Sequence, residues 1–270
     1  MTQPISVRHI ASRDNPDYRL WLRLAQGRPG NRETRVLLEG EHLCRAWFER
    51  YGVPLALIVS EGFQAQSPGW IKPLWSACET VRRVVVEDHL ARVLSQVEHG
   101  PAVFFLVDVP VPAMPARVTE GCLWLDRVQD PGNLGTLLRT AAAAGLTAAF
   151  LSEGCAAAWS PKVLRSGQGA HFALQVHERV DLSALRARLD IPLAATTLEQ
   201  ARSLYRLDLR APCAWLFGNE GRGVAPALLQ GADWRVHIPQ SAGVESLNVA
   251  AAAAICLFEQ RRQQTCPLGV

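Results

Sequence analysis

From residue 121 onward the chain alternates short apolar strands with helical patterns, and no other feature restricts its fold as strongly. CLWLD is followed by TLLRTAAAAG, AAFL by PKVLRSG and IPLAAT by LEQARSLYR; CAWLFG and RVHIP come next, and LNVAAAAAICLFEQRR closes the series. Strand-length apolar runs separated by 3.6-period patterns build an α/β layer structure around a mainly parallel sheet. Such sheets bind ligands beyond the carboxyl ends of their strands. Chemistry is therefore expected in the loops after CLWLD, CAWLFG and RVHIP. The alanine runs at 141–144 and 250–254 suit close helix packing.

The first half reads as a smaller α/β module. PDYRLWLRLAQG spaces Leu20, Trp21 and Leu24 on one helical face that Gly27 closes, and VLLEGEHLCRAWFERYG reads as a strand turning at Gly40 into a helix that ends at Gly52. PLALIVS and RRVVVED are expected buried strands. After FFLVDV comes PVPAMPARVTE, whose prolines cannot continue a strand or helix interior. The expected division is thus a domain over 1–107, a linker over 108–120 and a second domain over 121–270.

The net charge is only +3, but it is unevenly placed. Residues 1–50 hold nine arginines against six carboxylates, whereas the remainder balances at 19 against 19. Arg8, Arg13, Arg19, Arg23, Arg28, Arg32 and Arg35 either meet phosphates, which guanidinium forks match in pairs, or form a solvated helical face. The seven cysteines never fall as C-x-x-C, which argues against a disulfide framework and against a metal site. With no long apolar run and no charged-then-apolar start, the chain is expected in the cytoplasm, away from membranes.

Each of the three loops has unusual residues. In the first, D-R-V-Q-D-P-G-N-L-G-T-L-L-R, Pro131 and Gly132 force a turn, Asn133 can cap the helix that follows, and Arg139 lies two turns inside it. That arginine snorkels, pairs with a carboxylate or serves function. In the second, L-F-G-N-E-G-R-G, Gly218, Gly221 and Gly223 let backbone approach a ligand or adopt positive φ, and Glu220 repels phosphate unless it pairs with Arg222. Neither G-x-G-x-x-G nor a P-loop occurs, which weakens dinucleotide and oxidoreductase readings. In the third, I-P-Q-S-A-G-V-E-S-L-N-V, Ser246 reads as the N-cap, and Asn248 is a poor helix residue unless its amide binds something.

N-x-G-x-x-x-R, then L-F-G-N-E-G-x-G, then I-P-x-S-x-x-x-E-S-L-N-V together resemble the signature of the SpoU, or TrmH-like, RNA methyltransferases of the SPOUT superfamily. KVLRSGQGAHFAL is similar to that family's intermediate segment, and I-x-S-x-x-N-P with VLLEGEHL resembles, less closely, its ribosomal-protein-like substrate-binding domain. HGPAVFFLV and RSGQGA depart from the usual family sequence, outside the three motifs. The resemblance implies a C-terminal SPOUT domain with a deep trefoil knot, S-adenosylmethionine as cofactor, and a homodimer whose site is completed near the subunit interface. It further implies 2′-O-ribose methylation of RNA, with ribosomal RNA favoured and transfer RNA possible.

By the same resemblance Asn133, Arg139, Glu220, Ser246 and Asn248 are catalytic, and Gly218, Asn219, Gly221, Ile238 and Leu247 hold the cofactor, with Glu220 free to face its cationic groups. Family proposals make the motif-one arginine the base; a guanidinium is a poor base near neutral pH, so Arg139 is read here as gripping the neighbouring phosphate. The alternatives are a non-catalytic knotted RNA-binding protein and a base methyltransferase on the same scaffold.

Overall fold

Asn15 accepts the amides of Asp17 and Tyr18, and Pro16 takes the first helical position, so α1 (Pro16–Ala25) starts where its sequence dictates. The computed structural model describes residues 6–28, 30, 33–66, 69–97, 102–241, 243 and 246–265. The chain divides into two units, residues 1–110 with 159–161 and residues 111–158 with 162–270.

The first unit is built on a five-stranded sheet of β1 (Arg8–Ile10), β2 (Arg35–Glu39), β3 (Ala56–Ser60), β4 (Arg82–Val86) and β5 (Val103–Asp108), in the order β1-β4-β3-β5-β2. β1, β4 and β3 are parallel, while β5 runs antiparallel to both β3 and β2. Gly40, at φ 90°, turns β2 into α2 (Glu41–Tyr51) as read from sequence, and α3 (Glu61–Gln66), α4 (Ile71–Ala77) and α5 (Asp88–Leu94) follow. Tyr18, Trp21 and Leu24 of α1 bury against Ile58, Val84, Leu90 and Phe104, and the Tyr18 hydroxyl donates to the Leu90 carbonyl at 3.1 Å. That bond satisfies the Tyr18 hydroxyl, while the Trp21 indole N–H is buried without a hydrogen-bond partner among the described residues.

The second unit holds β6 (Cys122–Leu125), β7 (Ala148–Ser152), β8 (Gln175–Val180), β9 (Leu193–Thr196), β10 (Arg202–Ser203), β11 (Ala214–Phe217) and β12 (Trp234–His237), in the order β10-β12-β9-β11-β6-β7-β8. Every pairing in this sheet is parallel, in line with the alternating sequence pattern. Its helices are α6 (Pro131–Ala144), α7 (Pro161–Gly167), α8 (Leu182–Arg186), α9 (Pro226–Gln230) and α10 (Val249–Thr265). α6 packs on α10 through their alanines, Ala141, Ala250 and Ala253 all being buried. Gln260 ties α10 to the sheet by accepting the Trp215 indole N–H at 2.7 Å.

Two readings need correction. LEQARSLYR is not a helix: Arg202 and Ser203 pair with Val236 and His237 at the sheet edge, Gln200 sits at φ 49°, and a 3-10 turn covers Leu204–Arg206. Its spacing misleads because Leu198 and Tyr205 are exposed and only Leu204 is fully buried. The second concerns what sequence did not reveal: α8 and α9, five residues each, are too short for a helical period, and β8 (QVHERV) mixes charged with apolar residues and has no continuous apolar run. The cysteines behave as small apolar residues. Cys44, Cys78, Cys122, Cys213 and Cys256 are buried free thiols, and burial pushes Cys122, Cys213 and Cys256 up to about 12.

Candidate active site

The three unusual loops leave the carboxyl ends of β6, β11 and β12, where a parallel sheet places its ligands. The first two are stitched together by a residue that sequence reading passed over. Asp126, buried at the end of β6, accepts from the Arg127 guanidinium, from the Ser152 hydroxyl and, at 2.8 Å, from the Ala225 amide just past the glycine loop. The Arg127 carbonyl accepts Asn219 Nδ2 at 2.8 Å, and Arg127 holds φ 54°. The only signal in the sequence was a carboxylate ending an otherwise apolar strand.

The glycines of the second loop answer to the chain itself. A Cβ on Gly218 would sit 2.2 Å from the Gly223 carbonyl carbon and from the Val224 nitrogen. Asn219 and Gly223 exchange both main-chain hydrogen bonds, at 3.0 and 2.9 Å, and Gly223 takes φ +66°. Asn219 Oδ1 accepts the Gly221 and Arg222 amides, so both main-chain groups and both side-chain polar atoms of Asn219 have partners within the protein. Gly218→Ala is expected to cost about 1–3 kcal/mol, the usual range for forcing atoms into a filled space. Thermal unfolding checks this, and an unchanged midpoint would mean that 218 and 223 do not close on each other.

Glu220 is not paired with Arg222. Its Oε1 accepts the Asp130 amide at 3.1 Å and Asn133 Nδ2 at 3.2 Å, and its Oε2 accepts the Gln129 amide at 3.3 Å. Burial acts to raise its pKa, but these donors outweigh it and hold the carboxyl below the ordinary carboxylate range. Asn133 Oδ1 in turn accepts Asn248 Nδ2 at 2.9 Å, and Asn248 Oδ1 accepts the Ala250 and Ala251 amides. One directed line of hydrogen bonds therefore runs from the start of α10 through Asn248 and Asn133 to Glu220, joining all three loops.

Both caps differ from the sequence reading. α6 is capped by Asp130, whose carboxylate accepts the Asn133 amide at 2.7 Å, which frees the Asn133 side chain for the line. α10 is capped by Asn248, not Ser246, because the helix begins only at Val249. Ser246 is exposed and its hydroxyl has no partner among the described residues. Ile238 is half-buried at the end of β12, Leu247 is 37% exposed, and Gly221 is exposed. Glu245 lies outside the described residues.

Arg139 stands apart from this cluster. It is exposed on α6, and among the described residues it forms no ion pair or hydrogen bond, so it neither snorkels into an apolar site nor pairs with a carboxylate. Six residues beyond Asn133, it lies about 9 Å further along the helix and on a different face.

A parallel sheet whose three strand-end loops are hydrogen-bonded into one site defines an α/β protein with a candidate ligand site at the carboxyl edge of the sheet. Residues 121–258, from the entry to β6 through the first half of α10, match the SpoU rRNA Methylase family, and the chain belongs to that family. It is 33% identical over 96% of its length to an uncharacterized tRNA/rRNA methyltransferase of Synechocystis, covering 95% of that protein. It is 31% identical over 94% of its length to the 23S rRNA (guanosine(2553)-2′-O)-methyltransferase RlmP of Bacillus subtilis, covering all of it. Among solved structures it is similar to the SpoU methyltransferase AviRb of Streptomyces viridochromogenes in complex with AdoMet, with TM-score 0.76, 26% identity and coverage of 93% of this chain and 99% of that one.

Proposed function

We propose that the protein transfers the methyl group of S-adenosylmethionine to a ribose 2′-hydroxyl of ribosomal RNA. The observation that carries this reading is the line Asn248–Asn133–Glu220, which draws the three family motifs into one site at the strand ends. The 2′-O-methyltransferase names of full-length and near-full-length relatives support ribose over base.

The residues fit the cofactor. Gln240 Oε1 is buried with no hydrogen-bond partner among the described residues, an acceptor in want of a donor beside Ile238. Gly218, Ile238, Gln240 and Leu247 would hold the cofactor, which supplies an electrophilic methyl on a sulfonium. Asn219 and Gly221 serve by shaping the loop, since their bonds are internal.

Asn133 and Asn248 each spend one amide N–H on the line and keep one; with the Ser246 hydroxyl, these are the groups that orient the ribose oxygen. Glu220, held ionised at low pKa, is a weak base and anchors the site. Arg139, exposed and without a partner among the described residues, is free to grip the phosphate next to the target ribose, and the hydroxyl proton passes to solvent water.

The wider reading follows the same family. By the family resemblance, the second unit is tied in a deep trefoil knot. Two copies pair through α10, where Ala251, Ile255 and Phe258 recur at helical spacing on the face left uncovered and Phe258 is 46% exposed. Residues 1–107 dock the RNA and 108–120 link the domains. The substrate reading places its work on cytoplasmic ribosomes; no helix among the described residues is long and apolar enough to cross a membrane.

Within 1–107, Arg8, Arg19 and Arg35 pair with Asp17, Asp14 and Glu33, whereas Arg13, Arg23 and Arg28 have no ion-pair partner among the described residues; Arg32 lies outside them. Replacing Arg23, Arg28 and Arg32 with Ala is expected to weaken RNA binding and flatten its salt dependence by about one phosphate contact per arginine. An unchanged slope removes these residues from the RNA surface.

The test of the function is transfer of labelled methyl from S-adenosylmethionine to fractionated ribosomal and transfer RNA from cells lacking the gene, with mapping of any 2′-O-methyl nucleotide. Label in ribosomal RNA is expected. Label only in transfer RNA changes the substrate, label on a base changes the chemistry, and cofactor binding without label in any RNA favours a non-catalytic RNA-binding protein.

A further inference from the structure

The first unit contains a cavity of about 330 Å³ between α3 and α4 at the end of β3. That is the lower end of the roughly 300–1,000 Å³ that small-molecule pockets span. Phe63, Ile71 and Trp75 supply its apolar and aromatic wall. Its polar lining residues are Gln64, Lys72 and Ser76, and Trp75 carries an indole N–H. None of these four groups has a hydrogen bond or ion pair among the described residues. Asp14, Asp17 and Glu33 engage Arg8, Arg19, Arg35 and Arg82 of this unit, whereas the lysine of the cavity stands beside an amide and a hydroxyl that are likewise without partners among the described residues.

We infer that this cavity receives one unstacked base of the RNA substrate, with Lys72 meeting the adjoining phosphate. The inference rests on the RNA reading of the previous section. Aromatic walls are what an unstacked base packs against, and amide and hydroxyl groups are what read its edge. The Arg83 guanidinium already lies over the Trp75 ring, 5.5 Å from its centroid, which braces that ring. Among the described residues the one charged group of the lining is cationic and no carboxylate lines the cavity, so its sign suits a polyanion and not a metal ion.

The test is equilibrium binding of the full chain to an unmodified large-subunit ribosomal RNA transcript at several salt concentrations. Trp75→Ala is expected to weaken binding about tenfold with the salt slope unchanged, as loss of one stacked base does. Lys72→Ala is expected to lower the slope by about one contact, and Trp75→Phe to retain most of the affinity. Binding of labelled S-adenosylmethionine should be the same in all three. If Trp75→Ala and Lys72→Ala bind the transcript as the wild type does, the base pocket is overturned while the methyltransferase stands. If Trp75→Phe loses as much affinity as Trp75→Ala and both unfold at lower temperature, the ring is structural and the inference also falls. AMP bound with saturation, while neither variant changes RNA affinity, overturns it in favour of a free-nucleotide site. A wild-type chain that binds no RNA at all removes the functional reading itself.

Discussion

Glu220→Gln is expected to lower affinity for S-adenosylmethionine about thirty- to hundredfold and methyl transfer at least as much. The carboxylate takes three donors on two oxygens, and a glutamine has only one oxygen to offer. Its NH2 must then face the Gln129 amide or the pair formed by the Asp130 amide and Asn133 Nδ2, donor against donor. Hydrogen bonds to a charged group contribute about 1.5–3 kcal/mol each, and the low end applies because Glu220 is exposed. Weakening two of them costs about 3 kcal/mol, which at about 1.4 kcal/mol per tenfold gives the upper figure. The sign of the pH effect follows from a depressed carboxyl pKa: anchoring is fully present above the ordinary carboxylate range and is lost as pH falls through the lowered value. Cofactor affinity should thus be flat near neutrality and fall in acid, and the variant should lack that acid fall. Amide exchange measured without cofactor separates anchoring from direct contact with the cofactor's cationic groups. Faster exchange at Gln129 and Asp130 in the variant supports the anchor; unchanged exchange with lost affinity assigns Glu220 to the ligand.

The strand ends that carry this site were legible because apolar runs and helical spacing alternate so regularly between 122 and 260. The roles within the loops were not. Asp130, Asn133, Ser246 and Asn248 are all residue types that cap helices, and their order in sequence does not choose among them. Tertiary partners choose: Asn133 is drawn toward Glu220, some 87 residues away, which leaves Asp130 to cap α6. Glu220 likewise looked free because the amides that hold it come from another loop, 90 and 91 positions back. Gly218 was read as room for a ligand, yet the atoms it makes room for belong to Gly223 and Val224. Similarly, nine arginines in the first 50 residues overstated the free positive charge, since Asp14, Asp17 and Glu33 engage three of them.

Arg139→Ala is expected to abolish methyl transfer while leaving cofactor affinity within about twofold of wild type. The two effects separate because Arg139 lies about 9 Å along α6 from Asn133 and touches no part of the Asn248–Asn133–Glu220 line. Stability should also hold, since an exposed side chain with no partner leaves nothing unsatisfied when it is removed. What is lost is a guanidinium fork for a phosphate, the contact that holds the target ribose in line with the methyl; positional losses of this kind reduce rates by orders of magnitude. Arg139→Lys keeps the charge without the fork, and should regain RNA affinity more than turnover. If the pair of copies completes each site, as the uncovered face of α10 suggests, Arg139 has a second route to a ribose: across the interface. Mixing inactive Arg139→Ala chains with inactive Glu220→Gln chains then distinguishes the routes. Partial recovery of transfer means that Arg139 of one copy works with the Glu220 line of the other, because only a mixed pair holds both intact groups at one site. No recovery, with mixed pairs shown to form, places Arg139 and the line on the same copy, and retained turnover in Arg139→Ala alone removes the arginine from the reaction.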